Sequence, residues 1–169
     1  MNKKQCSPDE IAVKSLFLGP QSENSEWVLE QVQVLFSRWF EWRKQVYPND
    51  GVCISPENQN LSEFRAQQDQ AHQALLLAAS RFEKEVPKFS PRYLGHMFSE
   101  ISLPALFGHI LTLLHNPNNI SGESSRVGVQ LEDEAIGMLA QMLGYNENPE
   151  GHFTSGGTVA NFEALVRAR

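Results

Sequence analysis

The stretch GHFTSGGTVANFEALVRAR, residues 151–169, places a Ser-Gly-Gly-Thr turn directly before a helix-forming run. A helix start leaves backbone N–H groups unpaired and carries a partial positive charge, so it attracts anions. Gly156 and Gly157 let the backbone approach a ligand with no Cβ in the way. Thr158 adds a hydroxyl donor at the helix entrance. Together these residues can direct several hydrogen bonds at a phosphate. A plainer reading makes Ser155 or Thr158 an N-cap and the glycines a tight turn. A glycine pair alone does not decide between the two.

Two other chemistries are excluded residue by residue. The phosphate loop of nucleoside triphosphatases needs Lys after its last glycine, and Thr158 follows Gly157. A nucleophile elbow needs Gly two residues before its serine, and Phe153 stands there before Ser155. The five histidines, His72, His96, His109, His115 and His152, form no H-E-x-x-H pair. His109 and His115 lie six apart, off a common helix face. His72, His109 and His115 read as ordinary polar or interface residues.

Elements must position this turn, and the composition allows them. The 169 residues are 41% hydrophobic and 20% charged, the balance of a folded domain. A net charge of -6 without a basic stripe argues against a nucleic-acid partner. Cys6 and Cys53 form no metal-ligand spacing and read as free thiols of a reducing compartment. The first residues lack the apolar centre of a secretory signal, and no run suits a bilayer span, so a cytoplasmic protein with no membrane partner is expected.

Along the chain the first twenty-odd residues read as a mobile or partner-draped arm. Asn24 or Ser25 is expected to cap a helix that Pro48 terminates. Its stripe of Val28, Val32, Leu35, Phe36, Trp39 and Phe40, widened by Trp27, Trp42 and Val46, demands a covering helix from this chain or a second one. GVCISPENQNL reads as a loop, and a second helix is expected from about Ser62 to Glu85, before Pro87. KFSPRYLGHMFSEIS reads as an ordered loop with buried rings. A third helix should start at Ser102, with Pro104 in its first turn, and end before Pro117. RVGVQLEDEAIGMLAQMLGY gives a fourth, with Gly144 just past its end. Residues 152–154 are expected to form a short strand into the glycine turn. The pattern is mostly α-helical.

FTSGGTVANFEALVRAR resembles the phosphate-binding segment of the group II pyridoxal-phosphate-dependent amino-acid decarboxylases, relatives of the glutamate, aromatic-amino-acid and tyrosine decarboxylases. SPRYLGHMFSEISLPALFGHILTLLHN resembles the family's upstream substrate-side loop and helix, and SSRVGVQLEDEAIGMLAQMLGY the helix between. Order and spacing agree over roughly residues 60 to 169. The resemblance implies an α/β enzyme when complete, of the fold-type I, aspartate-aminotransferase-like class. Residues 1–88 would then be a helical arm for homodimerisation, and residues 89–169 the truncated start of the large cofactor-binding domain.

By that resemblance Gly157 and Thr158 hold the phosphate of pyridoxal 5′-phosphate, and Gly156 shapes the turn. Ser99 falls where the family often has a hydroxyl near the amino-acid substrate, and His96 near an aromatic position of the same loop. Val159 replaces a common Glu, Val129 stands where many relatives carry Thr, and Ser90 precedes Pro91 where many have His. These departures leave phosphate binding intact and the substrate class open. The family's reaction also needs a Schiff-base lysine and an acidic partner for the pyridine nitrogen, both well after the phosphate loop. Lys88 is the last lysine here, so the chain is expected to be the amino-terminal piece of a longer decarboxylase, inactive alone. Two alternatives stay open: a non-catalytic helical dimerisation module and a small anion-binding domain.

Overall fold

The computed structural model describes residues 6–97, 99–145 and 149–169. Among them the chain forms seven helices and no strand. Two compact units divide it, Met1–Leu114 and His115–Arg169.

In the first unit, α1 spans Pro8–Lys14, within the segment expected to be a mobile or partner-draped arm. Its cause is local. Ser7 accepts the Glu10 amide, Glu10 reaches back to the Ser7 amide at 2.8 Å, and Pro8 opens the first turn. This capping box is legible in S-P-D-E. The following segment is tied down as well, because the Leu103 amide donates to Leu16 O at 2.7 Å and Leu103 is buried.

Helix α2 spans Ser25–Val46, close to its expected bounds. Asn24 occupies the N-cap position without capping. Its side chain instead accepts from the Gly19 amide and donates to Phe17 O, stitching the arm to the helix start. The apolar stripe is only partly covered. Val28, Val32, Leu35 and Trp39 are half-buried, whereas Phe40 is 50% exposed. Trp27 meets Phe107 of α5 (Leu103–His115) edge-on at 5.8 Å between ring centres. Farther along, Trp39 and Phe40 pack ring to ring, and Arg43 lies over Trp39. An open, mainly apolar groove of about 850 Å³ runs beside this start, with Leu16, Phe17 and Trp27 in its wall.

The short α3, Pro56–Gln59, forms inside the expected loop because Ser55 caps it through the Asn58 amide. Helix α4 spans Ser62–Phe82, ending three residues before the expected Glu85. Leu75 and Phe82 on it are exposed. The segment before α5 does not bury its rings. Phe89 is exposed and Tyr93 half-buried; Phe98 lies outside the described residues.

In the second unit, α6 spans Arg126–Leu143 and α7 Gly157–Arg167. Buried Ser125 caps α6 through the Gly128 amide at 3.2 Å. Gly144 closes the helix at φ 75°, a left-handed conformation that favours glycine, as the sequence indicates. The residues before the glycine turn run along α6. A Cβ on Gly151 would come within 3.1 Å of Ile136 Cγ2, so glycine permits this approach. Residues 152–154 form no strand. A strand needs a pairing edge, and here the Phe153 amide goes to a side chain, Glu132 Oε1, at 2.7 Å.

Candidate functional site

Helix α7 starts because GTVANFEALVR offers good helix formers after a turn that needs no side chain to close it. Gly156 is the N-cap residue and contributes no side-chain cap. Neither Ser155 nor Thr158 takes the capping place that the plainer reading of the turn gives them. The hydroxyl that engages the turn belongs to Thr154, whose Oγ1 donates to Gly156 O at 3.2 Å. The same carbonyl accepts the Ala160 amide at 3.1 Å, the first rung of α7. The amides of Gly157, Thr158 and Val159 precede that rung and head the helix with their donors outward.

Space accompanies these donors. A Cβ on Gly156 or Gly157 would meet nothing within 4 Å. Both glycines and Thr158 are exposed. Gly156 is extended, at φ 164° and ψ 168°, so its backbone is unstrained. No left-handed conformation demands glycine at position 156, and the absent Cβ atoms leave the approach clear. Uncapped amides, a free hydroxyl face and an open approach form a donor set that suits a phosphate dianion.

Charged groups hold the segment that leads into the turn. His152 Nε2 lies 2.9 Å from Glu163 Oε2, and Arg167 donates to Glu163 Oε1 through Nε at 3.0 Å and its terminal nitrogen at 2.9 Å. The Arg167 hydrogen bonds, with His152 beside them, hold the Glu163 carboxyl below its ordinary value. Glu132 receives the Phe153 amide on one oxygen and Asn119 Nδ2 on the other. The sequence alone assigns Glu132, His152, Glu163 and Arg167 no role at the glycine turn; Glu132 reads only as an acidic residue that suits the dipole of its helix. Only the i, i+4 spacing of Glu163 and Arg167 signals any of these contacts.

The structure gathers Gly156, Gly157 and Thr158 at the head of α7. Ser99 and His96 are exposed residues of the loop between α4 and α5, in the first unit. Among the described residues no group of His, Cys, Asp and Glu is arranged to hold a metal ion, and no helix is long and apolar enough to cross a membrane. Cys6 and Cys53 are free, and Lys14 Nζ sits 2.9 Å from Cys6 Sγ.

Comparison with known proteins extends over the whole chain. It is 34% identical over 171 aligned positions to an L-tyrosine decarboxylase of Levilactobacillus brevis, covering 100% of this chain and 27% of that protein. An L-tyrosine decarboxylase of Enterococcus faecalis is 29% identical over the same share of both chains. Cysteine sulfinic acid decarboxylase of Rattus norvegicus is 27% identical over 75% of this chain and 27% of its own length. No protein-family model matches. The chain spans about a quarter of the length of these curated relatives.

Proposed function

We propose, on the premise that this chain is a relative of the group II pyridoxal-phosphate-dependent amino-acid decarboxylases, that it forms part of a carboxy-lyase acting on an L-amino acid. The observation that carries this reading is the uncapped, unobstructed head of α7 at the Gly156-Gly157 turn, within a chain similar to decarboxylases along its whole length.

In this reading the Gly157 and Thr158 amides and the Thr158 hydroxyl bind the phosphate of pyridoxal 5′-phosphate. Gly156 turns the chain so that these donors face one anion. The absence of Cβ atoms lets the phosphate reach main-chain distance, and the helix dipole favours its charge. When bound, the cofactor supplies the electron sink for the pair left as carbon dioxide departs. Ser99 and His96 are proposed for the substrate side. In this reading the lysine that carries the cofactor and the acidic partner of its ring nitrogen are not among these 169 residues, and the chain alone is proposed to lack turnover.

Residues 1–88 are proposed as the arm of a homodimer and residues 89–169 as the start of the fold-type I cofactor domain. The exposed apolar surfaces of α2 and α4 support the first assignment. L-tyrosine is the proposed substrate, since similarity to the tyrosine decarboxylases covers the whole chain and similarity to the sulfinate decarboxylase three quarters of it.

The test is carbon dioxide release by the full-length protein carrying this chain, with and without pyridoxal 5′-phosphate. L-tyrosine, cysteine sulfinate and L-glutamate are compared. Cofactor-dependent release, fastest with tyrosine, is expected. Release from cysteine sulfinate alone overturns the substrate assignment, and no release from any amino acid overturns the reading.

A further inference from the structure

The turn that presents the phosphate donors is gripped on its approach side by two consecutive residues. Phe153 is held through its amide by Glu132 of α6, and His152 through its ring by Glu163 of α7. The His152–Glu163 contact spans eleven positions and closes a loop whose apex is Gly156-Gly157. A carboxylate only accepts hydrogen bonds, so His152 Nε2 carries the proton between them. Arg167 occupies the other oxygen of Glu163 through two donors, which fixes the carboxylate's rotamer and leaves Oε2 for the imidazole. Glu163 is half-buried in this arrangement.

We propose that His152 is a positioning residue for the phosphate-binding turn, acting through Glu163 of α7. The inference rests on the phosphate reading above. Its physical basis is the flexibility of the element being held. Thr154 supplies one hydroxyl bond within the turn, and two glycines supply no side-chain packing. Several amides converge on one anion only if the approach segment keeps its place against α7. The His152–Glu163 bond provides that constraint, and Arg167 keeps the acceptor in register. An ion pair this exposed contributes little to global stability. Its effect therefore falls on the geometry of the donors and hence on phosphate recognition.

The full-length protein provides the test, with His152→Ala, His152→Gln and Gly157→Val beside the parent. Dissociation constants are measured for pyridoxal 5′-phosphate and for pyridoxal, which lacks the phosphate, together with thermal melts of the apo forms. His152→Ala is expected to weaken pyridoxal 5′-phosphate binding about three- to tenfold, the scale of one hydrogen bond, and to leave pyridoxal affinity and melting unchanged. His152→Gln, whose amide nitrogen replaces Nε2, restores most of the loss. If His152→Ala keeps the parent's preference for the phosphorylated ligand while Gly157→Val loses it, the positioning role is wrong and the phosphate site stands. Equal weakening of both ligands by His152→Ala overturns the role in favour of a structural one. If Gly157→Val keeps the preference, the phosphate reading fails and this inference fails with it.

Discussion

Glu132 Oε1 accepts the Phe153 amide at 2.7 Å, across twenty-one positions of sequence. A helix side chain thereby takes the place of the neighbouring strand that a sheet would supply. It pins the residue that leads into the glycine turn to the side of α6. Glu132→Ala is expected to free this amide and speed its hydrogen exchange by about tenfold or more. Glu132→Gln keeps an acceptor and should fall between parent and Ala. Exchange at Phe153, followed by NMR, reads the difference; parental exchange in the Ala variant would show that the carboxylate holds nothing.

Gly157→Val tests the open space directly. A Cβ there meets no atom within 4 Å, so the substitution should leave the apo protein's melting nearly unchanged. Affinity for pyridoxal 5′-phosphate should fall steeply, because the added side chain occupies the anion's approach. Titration beside apo melts separates the two effects. A melting loss with unaltered affinity would return the turn to a purely structural role.

Thr158 carries a milder expectation. Thr158→Ala removes one hydrogen bond to a charged group, about 1.5–3 kcal/mol, or roughly ten- to a hundredfold in cofactor affinity. Thr158→Ser keeps the hydroxyl and should be nearly silent. No side-chain cap is lost in either, since Gly156 holds the N-cap position. Parental affinity in Thr158→Ala would remove the hydroxyl from the site.

The clasp on α7 should respond to acid with a definite sign. Glu163 has a folded-state pKa below the ordinary 4.5, held down by Arg167 and then by His152. A depressed carboxyl contributes fully above its unfolded value and loses that contribution as pH falls through the folded one. The His152 and Arg167 contacts should thus persist at pH 5 and open at pH below the ordinary glutamate range. The side-chain carboxyl carbon shift of Glu163, titrated by NMR in the parent and in Arg167→Ala, checks this. The midpoint should rise in Arg167→Ala; an unmoved midpoint would contradict the cause assigned.

Association is the remaining expectation. Phe40 and Leu75 expose about half or more of their surfaces on α2 and α4, and Trp39 Nε1 is buried without an acceptor among the described residues. Covering apolar side chains of this size stabilises by about 1.5–3 kcal/mol each. The full-length protein should sediment as a dimer at micromolar concentration, and Phe40→Glu should shift it towards monomer by at least about tenfold in dissociation constant. A monodisperse parental monomer would count decisively against the homodimer.

Local chemistry was legible in the residues alone. Pro48 and Pro117 follow the ends of α2 and α5 by two residues, Gly144 closes α6 in the left-handed conformation, and the run from Gly157 becomes α7. These features depend on a residue and its near neighbours, as does the Ser7 capping box that makes α1 a helix. Other assignments required the tertiary path. The strand expected at residues 152–154 does not form, and Phe89 and Tyr93 are not buried, because each outcome depends on an element arriving from elsewhere. Thr154 and not Ser155 or Thr158 engages the turn, since hydroxyl reach is set by how the backbone bends. The bonds from Phe153 to Glu132 and from His152 to Glu163 join residues that no sequence period relates. Only the folding back of the chain between α6 and α7 brings them within hydrogen-bond distance, because a side-chain contact is decided by position in space and the sequence encodes it only through the whole path.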